Sequence, residues 1–129
     1  MRKIFGHRGL PQIYIENTIK SLNKALEICD FVETDIRITK DEQLIFYHDP
    51  TIENKKIEEL TLSEIKTFID IDISEIHFVS RDQIKGRANF ELKVNKEESE
   101  LNKIFINKVT NLTKQDDIIS SFDLSLIHI

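Results

Sequence analysis

The chain has 129 residues, of which 40% are hydrophobic and 32% charged, and its net charge is −5 at pH 7. These values are typical of one globular domain with its own core, so we expect a single domain over residues 1–129. The negative charge and the lack of a long basic stripe argue against nucleic acid as a partner.

The sequence also predicts a cytoplasmic protein. No run approaches the roughly 18 apolar residues of a transmembrane segment, and we expect no signal peptide before Gly6. The single cysteine, Cys29, cannot form a disulfide within the chain and is expected to be a small apolar helix residue.

Hydrophobic periodicity divides the chain into alternating strands and helices. The predicted strands cover residues 3–5, 31–38, 44–47, 88–94 and 118–122. The predicted helices start at Asn17-Thr18 and run to Cys29, from Thr61 to Phe68, and over 97–112, with a cut-off helix at 123–129. Residues 69–86 are expected to form turns with at most a short strand at 76–79. This alternation favours βαβ units and a mainly parallel sheet.

One connection between predicted strands is too short for a parallel arrangement. Only five residues, 39–43, separate the second strand from the third, whereas a parallel crossover needs a dozen or more. We therefore expect an antiparallel hairpin with Asp35 opposite about Phe46 and Glu33 opposite about His48. Such a hairpin brings His48 towards the two carboxylates.

Carboxylates recur at positions where they share one face of a strand. Glu33 and Asp35 are two residues apart, and Glu91 shares a face with Asn89 and Lys93. Carboxylates that converge repel one another unless a cation separates them, and together they would suit a hard ion such as Mg²⁺ or Ca²⁺. The alternative is that Glu33 and Asp35 form the solvated face of a half-exposed strand. Glu91 offers the same choice, but in a parallel strand covered on both faces its polar row would point into a sheet centre or barrel interior.

Residues 6–9 read Gly-His-Arg-Gly directly after an apolar pair. His7 is suited to general acid or base chemistry, although a lone histidine is usually structural. The guanidinium of Arg8 can hold a phosphate with two hydrogen bonds. The flanking glycines are expected to let the backbone approach a ligand closely. His77 and His128 have no such neighbours, and we assign them no role.

Taken together, these motifs resemble the glycerophosphodiester phosphodiesterase family, relatives of the phosphatidylinositol-specific phospholipases C. They run in family order from residue 4 to the C-terminus: His7-Arg8-Gly9, Glu16-Asn17-Thr18, Glu33-Thr34-Asp35, Thr39-Lys40-Asp41, His48-Asp49, Glu91-Leu92-Lys93 and Ser120-Ser121-Phe122. The resemblance therefore covers essentially the whole chain.

The resemblance implies a divalent metal ion, Mg²⁺ or Ca²⁺, and hydrolysis of a glycerophosphodiester to glycerol 3-phosphate and an alcohol. By motif match, the metal ligands would be Glu33, Asp35 and Glu91. The acid–base pair would be His7 and His48, and the phosphate would be held by Arg8 and Lys93. The substrate would be a small molecule.

The implied fold is an α/β fold of the TIM (β/α)₈-barrel type with its site at the carboxyl ends of the strands. Such barrels typically take about 250 residues, so we expect an incomplete barrel of about half the strands, with a β-hairpin extension and a C-terminal truncation. The open edges of a half-barrel predict self-association. Residues 51–55 also depart from the family's Arg-Thr-Thr-Gly-like segment.

The sequence leaves several alternatives open. The chain is a metal-dependent phosphodiesterase, an inactive truncated remnant or interaction module, or an enzyme for another lipid-derived or inositol phosphodiester. It does not choose between Ca²⁺ and Mg²⁺, because both ions prefer oxygen ligands. The identity of the leaving alcohol and the oligomeric state also stay open.

Overall fold

The computed structural model describes residues 1–94 and 99–122. The strands are β1 (Phe5–His7), β2 (Phe31–Ile38), β3 (Leu44–Phe46), β4 (Thr51–Ile52), β5 (Lys55–Lys56), β6 (Ala88–Leu92) and β7 (Ile118–Ser120). The α-helices are α1 (Ile19–Ala25), α2 (Leu62–Phe68), α3 (Ile73–Ile76) and α4 (Ser99–Leu112), and two short 3₁₀ helices cover Ile57–Glu59 and Arg81–Gln83. The helix expected at 123–129, the start of the one expected at 97, and His128 lie outside the described residues.

Four parallel strands in the order β1-β2-β6-β7 form the main sheet, and β3 pairs with the far end of β2. Helix α1 connects β1 to β2, and α4 connects β6 to β7. This arrangement confirms the predicted α/β class and the four barrel strands with a hairpin extension. Both outer strands carry exposed apolar side chains, including Phe5 (44% exposed) and Ile118 (41%). Self-association through these edges stays a prediction.

The hairpin formed by β2 and β3 is antiparallel, as expected, but its register differs by one residue. Ile36 pairs with Phe46, and the backbone N–H of Tyr47 donates to the carbonyl of Asp35 at 3.0 Å. Asp35 is therefore opposite Tyr47. The turn, in which Glu42 takes a left-handed conformation (φ 61°), lies within residues 39–43, as expected.

Two elements at the start of the chain have different bounds from those predicted. Strand β1 begins at Phe5, where pairing with Phe31 starts, and so includes His7. The residue before it, Ile4, is held instead by a backbone hydrogen bond to the Asp30 carboxylate at 2.8 Å. Helix α1 starts after its predicted cap, Thr18, but ends at Ala25, before Cys29.

The structure contains several short elements that the sequence did not predict, among them α3 and the hairpin of β4 and β5. Asp72 caps the helix α3 by accepting from the backbone N–H of Ser74 at 3.0 Å. The strand expected at 76–79 is reduced to an isolated bridge between Ile45 and His77. Strands β4 and β5 form a small hairpin over residues 51–56, with Glu53 and Asn54 both at positive φ, as a two-residue turn of type I′ requires.

Two hydrophobic clusters support the sheet. The larger one packs α1 and α4 against the outer face of the sheet and includes Leu22, Val32, Ile36, Phe90 and Phe105. The smaller one lies beneath the hairpin extension and consists of Ile45, Ile52, Ile57, Leu60 and Ile65. Because Ala88, Phe90 and Leu92 of β6 are buried on the helix side, the alternating residues Asn89 and Glu91 face the opposite side.

Among the described helices, none is long and apolar enough to cross a membrane.

Candidate active site at the carboxyl ends of the strands

Three carboxylates converge on the inner face of the sheet. Asp35 on β2 is in register with Glu91 on the adjacent β6, and Glu33 lies two residues before Asp35. Each of the three offers a ligand oxygen, and these oxygens all lie within 4.8 Å of one another. Asp35 is 1% exposed and Glu33 is 8% exposed, so the alternative of a solvated strand face is wrong for both residues.

Two cationic side chains contact this carboxylate cluster. The Lys93 ammonium lies 2.6 Å from Oε1 of Glu91 and 3.4 Å from Oδ1 of Asp35. The Arg8 Nε lies 3.1 Å from Oδ2 of Asp35. Both cations predicted from the sequence to hold a phosphate are therefore brought to the carboxylates.

The carboxylate cluster has spare capacity for a cation. Within residues 1–94 and 99–122, Oε1 of Glu33 and Oδ1 of Asp35 are buried and accept no hydrogen bond. Burial, and then the neighbouring Asp35 and Glu91 carboxyl groups, raise the pKa of Glu33 from 4.5 to about 7. Buried carboxylate oxygens that accept no hydrogen bond, one of them only in an ion pair with Lys93, fit a hard divalent cation such as Mg²⁺ or Ca²⁺.

The two predicted acid–base histidines lie in different surroundings. His7 ends β1, and its Nε2 lies 3.5 Å from Oε2 of Glu33, while its side chain is 67% exposed. His48 follows β3, and its Nδ1 lies 2.8 Å from Oδ1 of Asp49. His48 and Arg8 both line a cavity of about 190 Å³. The structure therefore brings His7 to the carboxylates and His48 to the cavity beside Arg8.

The backbone between β1 and α1 turns sharply at Arg8, which takes a left-handed conformation (φ 54°). Its backbone N–H donates to the carbonyl of Glu33 at 2.8 Å, and this contact ties the loop to β2. A left-handed conformation in a large side chain is uncommon and costs about 1 kcal/mol or more. The strained turn sets the direction from which the guanidinium reaches Asp35.

The glycines around Arg8 have a role in helix packing that the sequence did not show, and their expected approach to a ligand stays a prediction. A Cβ on Gly9 would lie 2.3 Å from the Ser21 hydroxyl, and φ there is +87°. A Cβ on Gly6 would lie 2.8 Å from the Cβ of Ala25. Both positions allow α1 to approach β1 closely, and this approach fixes the loop that carries His7 and Arg8.

Sequence reasoning assigned Asn17 to the start of a helix and missed its role at the site. Asn17 is buried, takes a left-handed conformation (φ 56°), and donates from Nδ2 to Oδ2 of Asp35 at 3.0 Å. Its Oδ1 accepts from the Thr34 hydroxyl at 3.0 Å and from the backbone N–H of Asp35 at 3.2 Å. The preceding residue, Glu16, pairs with Nη1 of Arg8 at 3.0 Å. The signal in the sequence that pointed to these residues was the match of Glu16-Asn17-Thr18 to the family's motifs.

Comparison with known proteins places these residues within one family. Residues 7–95 match the Glycerophosphoryl diester phosphodiesterase family. A glycerophosphodiester phosphodiesterase of Caldanaerobacter subterraneus subsp. tengcongensis is 35% identical over 69 residues, which are 49% of this chain and 28% of that protein.

Solved structures give the same result for the fold. The glycerophosphodiester phosphodiesterase of Thermotoga maritima superimposes with a TM-score of 0.73 at 28% identity, over 98% of this chain and 57% of that one. An Oleispira antarctica phosphodiesterase in complex with the product sn-glycerol-3-phosphate has a TM-score of 0.74 at 20% identity, over 96% of this chain and 59% of that one. The chain thus spans little more than half the length of these two solved structures. Its match to the Caldanaerobacter protein covers 28% of that protein.

Proposed function

Since this chain belongs to the glycerophosphoryl diester phosphodiesterase family, we propose that it hydrolyses glycerophosphodiesters to glycerol 3-phosphate and an alcohol. The observation that carries this proposal is the cluster of Glu33, Asp35 and Glu91, whose oxygens lie within 4.8 Å of one another. The two cations that contact the cluster, Arg8 and Lys93, give it the charges needed to receive a phosphodiester.

Glu33, Asp35 and Glu91 would together hold one divalent ion, Mg²⁺ or Ca²⁺. When bound, such an ion polarises a phosphoryl oxygen and offsets the negative charge that develops in the transition state. Lys93 contacts two of these carboxylates, Asp35 and Glu91. Its ammonium is therefore held at the cluster and would donate to a phosphate oxygen of the substrate.

Arg8 contacts Oδ2 of Asp35, whereas Lys93 contacts Oδ1. Arg8 would therefore bind the phosphate from the other side of Asp35. Its Nε and Nη1 are paired with Asp35 and Glu16, so the guanidinium plane is already fixed before substrate arrives. A fixed fork of N–H donors loses little conformational freedom when it binds a phosphate. The three carboxylates would otherwise repel the anionic substrate, and Arg8 and Lys93 offset that repulsion.

His7 and His48 would act as the acid–base pair. One would take a proton from the attacking water or from the neighbouring glycerol hydroxyl, and the other would protonate the leaving alcohol. Asp49 holds Nδ1 of His48, which leaves Nε2 as the atom that exchanges a proton. The Nε2 of His7 lies 3.5 Å from Oε2 of Glu33, so its imidazole lies beside the carboxylate cluster.

The test is release of glycerol 3-phosphate from a glycerophosphodiester by the 129-residue chain, with Mg²⁺ or Ca²⁺ and with a chelator. We expect metal-dependent release that falls by roughly a hundredfold in His7→Ala. His77→Ala is the matched control, because His77 contacts Gln43 at 3.1 Å and lies away from the carboxylates. Activity that survives both the chelator and His7→Ala would contradict the proposal.

A further inference from the structure

Arg37 is a buried cation that the chemistry above does not use. It lies on β2, two residues beyond Asp35, and is 6% exposed. Burial lowers the pKa of its guanidinium, against the opposing effect of Glu58 and other acidic neighbours. A charged group in such a position needs specific partners to compensate for its lost hydration.

The partner of Arg37 is the backbone of His48. Its Nε donates to the His48 carbonyl at 3.1 Å, and its Nη2 donates to the same oxygen at 2.5 Å. The third nitrogen, Nη1, lies 3.9 Å from Oε1 of Glu58, whose side chain is 7% exposed. Two charged hydrogen bonds thus converge on one carbonyl, and such bonds are stronger than bonds between neutral groups.

This contact falls where the ordinary strand pairing stops. Strand β3 ends at Phe46, and the next residue, Tyr47, still donates its backbone N–H to the carbonyl of Asp35. Arg37 continues the connection to His48 through its side chain. The same strand therefore carries a proposed metal ligand, Asp35, and the group that anchors His48.

We propose that Arg37 is a positioning residue that fixes the backbone of His48 and thereby the direction of its imidazole ring. This inference rests on the proposed function of His48. A displacement of about 1 Å in a group that transfers a proton can lower the rate by roughly a hundredfold. A rigid anchor on the strand of the metal ligands holds His48 at a constant distance from them.

The experiment compares Arg37→Met and Arg37→Lys with the unaltered chain. The first readout is the imidazole ring of His48, followed by two-dimensional NMR and assigned from the His48→Gln spectrum. We expect Arg37→Met to shift the ring resonances and to remove the signature of the hydrogen bond between Nδ1 and Asp49. Arg37→Lys should restore part of it, because an ammonium can still donate to the His48 carbonyl.

The second readout is steady-state kinetics. In Arg37→Met we expect kcat to fall by roughly tenfold to a hundredfold while KM changes by less than about twofold, because substrate binding is left in place. Arg37→Lys should recover part of kcat. If the unaltered chain shows no turnover, the proposed function fails, and the NMR comparison still decides whether Arg37 positions His48.

Arg81→Met is the matched control, because Arg81 is equally buried and also bonds backbone carbonyls, but at the opposite end of the sheet. It should lower the midpoint of thermal unfolding and leave the His48 resonances and kcat unchanged. Unshifted His48 resonances in folded Arg37→Met would overturn the proposal. It would equally be overturned if Arg81→Met changed the His48 ring and kcat as much as Arg37→Met does.

Discussion

The two ends of the sheet bury carboxylates in opposite ways. At the amino end, Asp117 precedes β7 and receives two hydrogen bonds from Arg81, from Nε at 2.6 Å and from Nη2 at 2.7 Å. The backbone N–H groups of Ala88 and Lys114 add two more, at 3.2 and 2.8 Å. At the carboxyl end, one buried oxygen of Glu33 (Oε1) and one of Asp35 (Oδ1) accept no hydrogen bond from the described residues.

The pKa values of the buried carboxyl groups also differ between the two ends of the sheet. Burial works to raise the pKa of Asp117, but Arg81 and the backbone donors overcome it and hold that pKa below its usual value. Burial also raises the pKa of Glu33, and there the neighbouring carboxylates add to the effect and bring it to about 7. The satisfied carboxylate stabilises the fold, whereas the unsatisfied ones are available to a ligand. In a barrel of this type, the amino end serves stability and the carboxyl end serves the reaction.

The strongest test of this division is Asp35→Asn, which keeps the shape of the side chain and removes its charge. We expect kcat/KM for glycerophosphodiester hydrolysis to fall by about 1,000-fold, or about 4 kcal/mol of transition-state stabilisation. The free energy of unfolding, measured without metal by urea denaturation, should change by less than about 1 kcal/mol, because the loss of the ion pairs with Arg8 and Lys93 is offset by the loss of a charge that repels Glu33 and Glu91. A large loss of stability with full activity would reverse the assignment.

Arg81→Met should produce the opposite pattern at the amino end. The change leaves the buried Asp117 carboxylate without its main partner, and such losses typically cost about 3 kcal/mol of unfolding free energy. Urea denaturation measures the cost, and isothermal titration with Mg²⁺ or Ca²⁺ should give the same affinity as the unaltered chain. The double variant Arg81→Met, Asp117→Asn should be little less stable than Arg81→Met, because the two residues act as a unit.

The pH dependence of stability should differ in sign between the two ends. The unfolded chain releases the proton of Glu33 near pH 4.5, and the folded protein keeps it until about pH 7. The folded state therefore binds more protons between these values, and in a chelator its unfolding free energy should fall as pH rises, on the order of 2 kcal/mol.

Glu33→Gln should remove that pH dependence. The measurement is the unfolding free energy of the unaltered chain and of Glu33→Gln as a function of pH. For Asp117 the folded pKa is lowered, so its stabilisation is complete above about pH 4 and is lost as pH falls through the lowered value. Equal slopes for the unaltered chain and Glu33→Gln between pH 4.5 and 7 would contradict the buried, repulsive environment of Glu33.

The parts of the fold that were predicted correctly are those with a strong local signal. Alternation along β2 gave both of its ends, and the capping box of Thr61 and Glu64 gave the start of α2. The short loop before β3 required a hairpin whatever its exact register. The shared face of Glu33 and Asp35 followed from strand geometry alone.

The remaining errors come from contacts between residues distant in sequence. The sequence did not show that α1 packs on Gly6 and Gly9. Nothing local shows that Arg37 bonds a carbonyl eleven residues away, or that Asn17 bonds Asp35. Such roles depend on how strands and loops meet, and the pattern within one segment does not contain that information.

The smallest expected effect is a difference between two asparagines at the two ends of the sheet, one just before α1 and one within it. Asn17 precedes α1 and holds Asp35 at the carboxyl end, while Asn23 within α1 bridges the backbone of Gln83 and Lys85, both at 2.9 Å. Asn17→Gly, chosen because glycine tolerates φ of 56°, should weaken divalent-metal affinity by roughly tenfold to a hundredfold. Asn23→Ala should cost about 1 kcal/mol of unfolding free energy and leave that affinity unchanged. Isothermal titration measures the metal affinity of both variants, and urea denaturation measures their unfolding free energies. Equal metal affinities of Asn17→Gly and Asn23→Ala would show that Asn17 does not orient Asp35 for a ligand.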